Sequence, residues 1–289
     1  MPLLSRFTVM LLEEKLAAAL LERVGMRADI TASKIQAELS RVPENERDSW
    51  VANLLASPAQ SAEWQEFIEP FLIHETYLFR HEKQLEFLAK KILPDLIEDR
   101  IRSQNFEFRI WCAACSSGEE AYTAALLLKD ALKQSKEAFK HEWSLHVVGT
   151  DLSAGVLLKA RKGEYSVSVG LNSFRDVPQS ARHHFPNIFE HSEKTWIADE
   201  TLRRTVTFQQ RNVVSDPAPL SDVDLVMCRN VLIYLDAPSV ERAITTMRGA
   251  LRTGGVLVLG PADMLKHTEG WDMLTNEKAM FWKKSNSPR

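Results

Sequence analysis

"FEFRIWCAACSSGEEAYTAALLLKDAL", residues 106–132, decides the fold. Its first ten residues read as a strand, and "GEEAYTAALLLKDAL" (118–132) reads as a helix, with a sharp polar turn between them. The same rhythm recurs downstream. "SLHVVGTDLS" (144–153) is a strand and "AGVLLKARKG" (154–163) a helix. "TVTFQQRNVV" (205–214) is a strand, and "DVDLVMCRNVLIYL" (222–235) begins as a strand and runs into a loop. "PSVERAITTMRGAL" (238–251) is a helix, "GGVLVLGPADM" (254–264) a strand, and "KAMFWKKS" (278–285) a last edge strand. Strands alternating with helices predict an α/β fold with a doubly wound, mostly parallel sheet. Residues 163–204 interrupt the alternation, and "GEYSVSVG" (163–170) and "KTWIADET" (194–201) read as short strands of a small inserted β-subdomain.

Upstream the pattern is helical only. "FTVMLLEEKLAAALLERVGM" (7–26) is a helix that stops at Gly25, and "TASKIQAELSRV" (31–42) is a helix capped at Thr31 or Ser33. "PENERDSWVANLLAS" (43–57) and "PAQSAEWQEFIEPFLI" (58–73) follow, each opened by a proline near its first turn. The expected organisation is a helical domain over 1–72, a linker over 73–84 and a second domain over 85–289. In the linker, "IHETYLFRHEKQ" (73–84) is a polar and aromatic seam that fits neither flanking helix face.

Composition narrows the possibilities. In 289 residues, 36 Lys and Arg face 39 Asp and Glu, for a net charge of −3. A general nucleic-acid binder carries a basic excess, so none is expected as partner. No apolar run approaches the roughly 18 residues that cross a bilayer, and the N-terminal apolar run is short before Glu13 and Glu14. A cytoplasmic protein without membrane insertion is expected. Three cysteines, Cys112, Cys115 and Cys228, suit a reducing compartment. The C-x-x-C spacing of Cys112 and Cys115 lies inside a strand, not at the helix start that a redox pair uses. His183, His184 and His191 carry no partner at metal-ligand spacing in sequence and read as surface residues.

In an open parallel sheet, ligands bind beyond the carboxyl ends of the strands. Those ends are "CSSGEEAY", Asp151, Asn212, and Arg229 with Asn230. Glu119 and Glu120 open the first helix, where a bound phosphate would meet repulsion instead of free N–H groups alone. The turn also lacks the glycine patterns of dinucleotide and triphosphate sites. Asp151 suits the hydroxyls of a ribose. A ribose without phosphates, joined to a positive group, describes S-adenosylmethionine.

The blocks "HETYLFR" (74–80), "RIWCAACSSGEEAY" (109–122), "VVGTDLS" (147–153), "KARKGEYS" (159–166), "QQRNVV" (209–214) and "VMCRNVLIYLD" (226–236) occur in this order. Together they resemble the chemotaxis receptor methyltransferases, the CheR family, over most of residues 10–265. The resemblance implies a class I S-adenosylmethionine-dependent methyltransferase fold preceded by a helical domain. It also implies methyl transfer to glutamate side chains of chemoreceptor-type signalling proteins, giving glutamyl methyl esters and S-adenosylhomocysteine. On it rests an expected cofactor set of His74, Thr76, Arg80, Ser116, Glu120, Asp151, Leu152, Asn212, Val213, Arg229 and Asn230, with Arg80 and Tyr234 nearest the transferred methyl group. His74 stands where the family has asparagine. A monomer without a metal, acting on a receptor, is the expected form. A small-molecule methyltransferase and a cofactor-binding module without turnover are the alternatives.

Overall fold

The computed structural model describes residues 2–167, 172–276 and 279–285. It divides into two compact units: Met1–Ile73 with Ile233–Ile244, and His74–Leu232 with Thr245–Arg289.

The first unit holds α1 (Pro2–Val24), α2 (Ala28–Arg41), α3 (Arg47–Ala56) and α4 (Ala62–Ile68). Leu12, Leu16, Leu20 and Val24 recur every four residues on one face of α1 and are buried. They share this core with Ile35, Leu39, Val51, Leu54, Trp64 and Phe67. Arg23 at the end of α1 lies 4.4 Å over the Trp64 ring and donates to the carbonyls of Leu55 and Ser57. Two expected starts are corrected. The helix of residues 31–42 begins at Ala28, so Thr31 is inside it and donates to the Ala28 carbonyl instead of capping. The helix after Pro58 begins at Ala62, where Ser61 accepts from the Trp64 N–H, because a proline cannot supply that acceptor.

The second unit opens with α5 (Glu82–Phe87), a π-turn at Leu88–Ile92 and α6 (Leu93–Arg102). Then come β1 (Glu107–Ala113), α7 (Glu119–Gln134), β2 (Ser144–Asp151), α8 (Ala154–Lys162) and β3 (Glu164–Ser166). After these follow α9 (Pro186–Phe189), β4 (Thr195–Ile197), α10 (Glu200–Thr205), β5 (Val206–Gln210) and β6 (Val223–Cys228). The chain continues through α11 (Ala237–Ala250), β7 (Leu251–Leu259), β8 (Trp271–Asn276) and β9 (Ala279–Lys284). The sheet order is β5-β2-β1-β6-β7-β9-β8. The first five strands are parallel, and β9 runs antiparallel between β7 and β8. This is the doubly wound, mostly parallel sheet expected from the strand–helix rhythm. Every residue of β6 is buried, as befits a central parallel strand covered on both faces.

The end of the sheet differs from the sequence reading. The strand of 278–285 is not the edge: β9 is flanked by β8, whose residues 271–276 carry no period-2 apolar signal. Lys278 lies outside the described residues. In the inserted segment β3 and β4 pair antiparallel, Tyr165 opposite Trp196, while residues 168–170 of the anticipated strand lie outside the described residues. The rest of the segment adds short helical pieces, a 3-10 turn at Gln179–His184 together with α9 and α10. Among the described residues no helix is long and apolar enough to cross a membrane.

Candidate active site

The sheet reverses its winding between β1 and β6, and their carboxyl ends form the crevice where such sheets hold ligands. The turn after β1 is tightly folded. Ala114, Ser116 and Gly118 all have positive φ, at 56, 51 and 94°. Gly118 is required: a Cβ there would stand 2.9 Å from Ala160 and from Phe208 as well. The turn brings the Ser116 N–H to Asp151 Oδ2 at 2.8 Å, while Asp151 Oδ1 accepts from Ser153 N–H at 2.9 Å. Asp151 is thereby a buried carboxylate whose orientation is fixed by two backbone donors. A carboxylate has about four lone-pair sites, so acceptor capacity remains for hydroxyl groups. Ser116 Oγ donates to the His74 carbonyl at 3.0 Å, which ties the "HETYLFR" segment to the same turn.

Glu119 and Glu120 part company at the start of α7. Glu119 is buried and accepts from Ser117 Oγ at 2.7 Å and Ser173 Oγ at 2.9 Å; burial pushes its carboxyl above the usual range. Glu120 accepts from Arg229 Nη1 at 2.9 Å. Burial raises the Glu120 carboxyl, and the guanidinium beside it opposes that shift.

Arg229, just past β6, is consumed inside the protein. Its Nε donates to Gln84 Oε1 at 2.9 Å, and its Nη2 donates to the Arg80 carbonyl and to His81 Nδ1. Gln84 in turn donates to the Leu259 carbonyl at the end of β7. Burial, and then the neighbouring guanidinium, lower the His81 imidazole to about 4, so its Nδ1 is a stable acceptor. Arg229 therefore clamps the Arg80–Gln84 segment to the strand ends and to Glu120, leaving it little to offer a ligand.

Asn230 has a positive φ of 61°, and its N–H donates to Asp263 Oδ2 at 2.5 Å. The Gly260 N–H donates to the same oxygen at 2.9 Å. Asn230 Oδ1 is buried and has no partner. Arg80 shows the complementary feature: Nη1 donates to the Glu75 carbonyl at 2.7 Å, but Nε is buried without an acceptor. Unpartnered buried polar atoms are costly, of order 1–3 kcal/mol each. They fit a ligand that supplies a donor to Asn230 and an acceptor to Arg80.

The seam at 73–84 now has a physical account. Leu78 N–H donates to the Ser173 carbonyl and Phe79 N–H to Thr123 Oγ1. Glu75 pairs with Arg175 at 2.9 Å, and the Arg175 guanidinium lies 3.9 Å over the Tyr77 ring. The segment is thus bolted to α7 and to the inserted segment, with Phe79 and His81 held at φ 58 and 62°.

The other expected residues lie as follows. Asn212 sits past β5, with its N–H donating to Asp216 and its Oδ1 accepting from Val214 N–H. Leu152 follows Asp151 and accepts from Gln210 Nε2. Thr76, Val213 and His74 are half-buried. Tyr234 belongs to the first unit, where its carbonyl accepts from Arg27 N–H at 3.1 Å. Sequence reasoning missed His81, Gln84 and Asp263. Asp263 was within reach: it follows the fifth parallel strand, whose end obeys the same rule as the other four. The thiols of Cys112, Cys115 and Cys228 are free, buried and pushed well up by burial, so none is a nucleophile.

Comparison with known proteins adds an independent line. A family model described as CheR methyltransferase, SAM binding domain, matches residues 74–281. The chain is 32% identical over 215 residues to a chemotaxis protein methyltransferase of Borreliella burgdorferi, covering 74% of this chain and 72% of that protein. It is 30% identical over 209 residues to chemotaxis protein methyltransferase 2 of Vibrio cholerae, covering 72% and 68%. It is also 30% identical over 203 residues to chemotaxis protein methyltransferase 1 of Pseudomonas aeruginosa, covering 69% of each.

Proposed function

The chain belongs to the CheR methyltransferase family, and from that premise we propose that it methylates glutamate side-chain carboxylates of chemoreceptor-type signalling proteins, giving glutamyl methyl esters. The observation that carries this reading is the extent of the family match. It begins at His74 and takes in the Arg80 segment together with the strand ends that carry Asp151, Arg229 and Asn230.

S-adenosylmethionine supplies an electrophilic methyl carbon on a sulfonium. The residues present fit it. Asp151, with its oxygens oriented by Ser116 and Ser153 N–H, accepts from ribose hydroxyls. Asn230 Oδ1 accepts from an amine of the cofactor, which removes its unpartnered state. Glu120, neutralised in part by Arg229, faces the positive end. His74, Thr76, Ser116, Leu152, Asn212 and Val213 complete the proposed lining.

A glutamate carboxylate is already ionised near pH 7, so no general base has to be found. The task is to place one oxygen in line with the methyl group and exclude water, which is worth at most about 7–11 kcal/mol of the barrier. Arg80 is suited to orienting that carboxylate by a charge-assisted hydrogen bond from its free Nε. Transfer consumes two opposite charges, so too firm a grip on the carboxylate would slow the reaction. Positioning is the role assigned to Arg80, and Tyr234 is proposed to wall the methyl group or share the carboxylate. The proposed domain boundaries remain 1–72, 73–84 and 85–289, with the insertion at 163–204.

Mass spectrometry of receptor peptides after incubation with S-adenosylmethionine tests the reading. Glutamates carrying one added methyl group are expected. Methylated lysines, or a methylated small molecule with receptors untouched, would replace it with another substrate class. S-adenosylhomocysteine binding without any transfer would leave a signalling module.

A further inference from the structure

Toward the carboxyl end of α7, away from the strand-end site at its start, three potential ligands converge. Asp130 lies on α7, and His183 and His184 end the 3-10 turn of the inserted segment. One ligand atom from each falls within 4.8 Å of the others. Asp130 Oδ2 stands 2.9 Å from His184 Nε2 and 3.3 Å from His183 Nε2. Bonds of about 2.0–2.2 Å to a tetrahedral zinc ion place ligand atoms roughly 3.3–3.6 Å apart, and the three atoms of the cluster bracket that spacing.

The orientation of His183 is the decisive detail. Its Nδ1 stands 2.8 Å from the Ser180 carbonyl. A carbonyl only accepts, so Nδ1 carries the proton. In the neutral ring the lone pair is then on Nε2, which lies 3.3 Å from the carboxylate oxygen of Asp130. Two electron-rich atoms this close are stabilised by a positive charge, either a second proton on His183 or a metal ion shared with His184, whose ligand atom lies within the same cluster. Fixing one ring nitrogen with a carbonyl so that the other can coordinate is how ligating histidines are oriented. Sequence spacing hid the site because Asp130 is more than fifty residues away.

We propose that Asp130, His183 and His184 form a binding site for a divalent transition metal of the zinc class. Two imidazoles select zinc, copper or nickel over magnesium and calcium, and a carboxylate oxygen is also an ordinary zinc ligand. The His183 side chain is 59% exposed, so an ion enters from solvent, whereas Asp130 and His184 are 23% and 11% exposed. Metal entry requires the His184 proton that now faces Asp130 to leave Nε2 while Nδ1 takes up a proton from solvent, so that a neutral ring coordinates through Nε2. Three protein ligands leave a position open, and a cavity of about 430 Å³ lined by all three ligands and Phe79 gives it room. Lys133, on the same helix and lining a cavity together with Asp130 and His184, opposes the ion by like charge, which argues for a reversible site weaker than a closed structural one. The site links the inserted segment to α7, and His184 also stacks on Phe79 at 6.2 Å, the residue before Arg80.

Calorimetric titration of the metal-free protein with zinc tests this, with cobalt absorption as a second readout. One equivalent is expected, with the d–d bands of a nitrogen- and oxygen-ligated cobalt ion. His183→Gln, at an exposed position, should weaken binding by about 100-fold while the metal-free melting temperature is unchanged; loss of an orienting partner alone costs 10–100-fold. His184→Gln and Asp130→Asn should do the same where they fold. His191→Gln and His146→Gln should bind as wild type. Zinc affinity unchanged in His183→Gln, loss in His146→Gln instead, or no saturable binding by the wild type would overturn the proposal.

Discussion

The two ends of β6 carry buried charge for opposite purposes. At its start, Asp224 is fully buried and every contact is made within the protein. It accepts from Arg100 Nε and Nη2, from Arg252 Nε, and from Arg109 N–H. Arg100 is further held by Asp222, and Arg252 Nη2, though without a hydrogen bond, stands 3.8 Å from Asp99. At the other end, Arg229 is equally saturated, but Asn230 Oδ1 and Arg80 Nε are left open. At Asp224 both carboxylate oxygens are saturated from within the protein and the open donor beside them, Arg252 Nη2, faces Asp99, so this network serves the fold. One that stops short by an acceptor and a donor is prepared for a ligand, and Arg229 is the boundary between the two cases.

The largest effect should come from the closed end. Asp224→Ala leaves Arg100 and Arg252 buried without their main partner, and breaking a buried pair costs about 3–5 kcal/mol. Chemical denaturation should show that loss, while the folded fraction still binds S-adenosylhomocysteine with wild-type affinity. Weakened affinity with little change in stability would abolish the distinction between the ends.

Arg80→Ala should invert that pattern. Single-turnover methyl transfer should fall by on the order of 10²-fold with a small change in melting temperature. Arg80→Lys should recover only part of it, because an ammonium cannot reproduce the planar fork. A variant that transfers at the wild-type rate would return the segment to a packed seam.

Asn230→Gly and Asp151→Ala sharpen the comparison further. Gly accepts the φ of 61°, so removing the unpartnered oxygen should leave the free protein as stable or slightly more stable. Cofactor affinity should fall. Asp151→Ala should raise the S-adenosylhomocysteine dissociation constant by roughly tenfold or more, the cost of about 1.5–3 kcal/mol for a hydrogen bond to a charged group. Calorimetry on both variants checks this.

The smallest effect concerns pH. His81 titrates near 4 in the folded protein, and ordinary histidine near 6.5. Between those values the unfolded chain binds the extra proton, so acid favours unfolding. Stability from this group is complete above about pH 6.5 and declines as pH falls toward 4. The ring is only half-buried, so about 1–2 kcal/mol is expected after solvent screening. His81→Asn, which tolerates the left-handed backbone, should flatten the melting profile in that window.

These residues also mark what could be read from the chain. The parallel sheet was legible because buried runs such as "VLVL" (256–259) are continuously apolar and the strands alternate with helices. Strand β8 was not, since "WDMLTN" gains its place only by pairing with β9. Asp151 and Asn230 were legible as polar residues at strand ends. That Arg229 is spent on Gln84, His81, the Arg80 carbonyl and Glu120 was not, because those partners are 109 to 149 residues away. The Asp130–His183–His184 cluster was hidden for the same reason.

The most direct test is alkaline release of methanol. The protein is incubated with methyl-labelled S-adenosylmethionine and a purified chemoreceptor signalling domain, and the product is treated with mild base. Volatile labelled methanol, sharply reduced with Arg80→Ala, is the predicted result. Label that withstands base would contradict carboxyl methylation and the role assigned to the open end of the sheet.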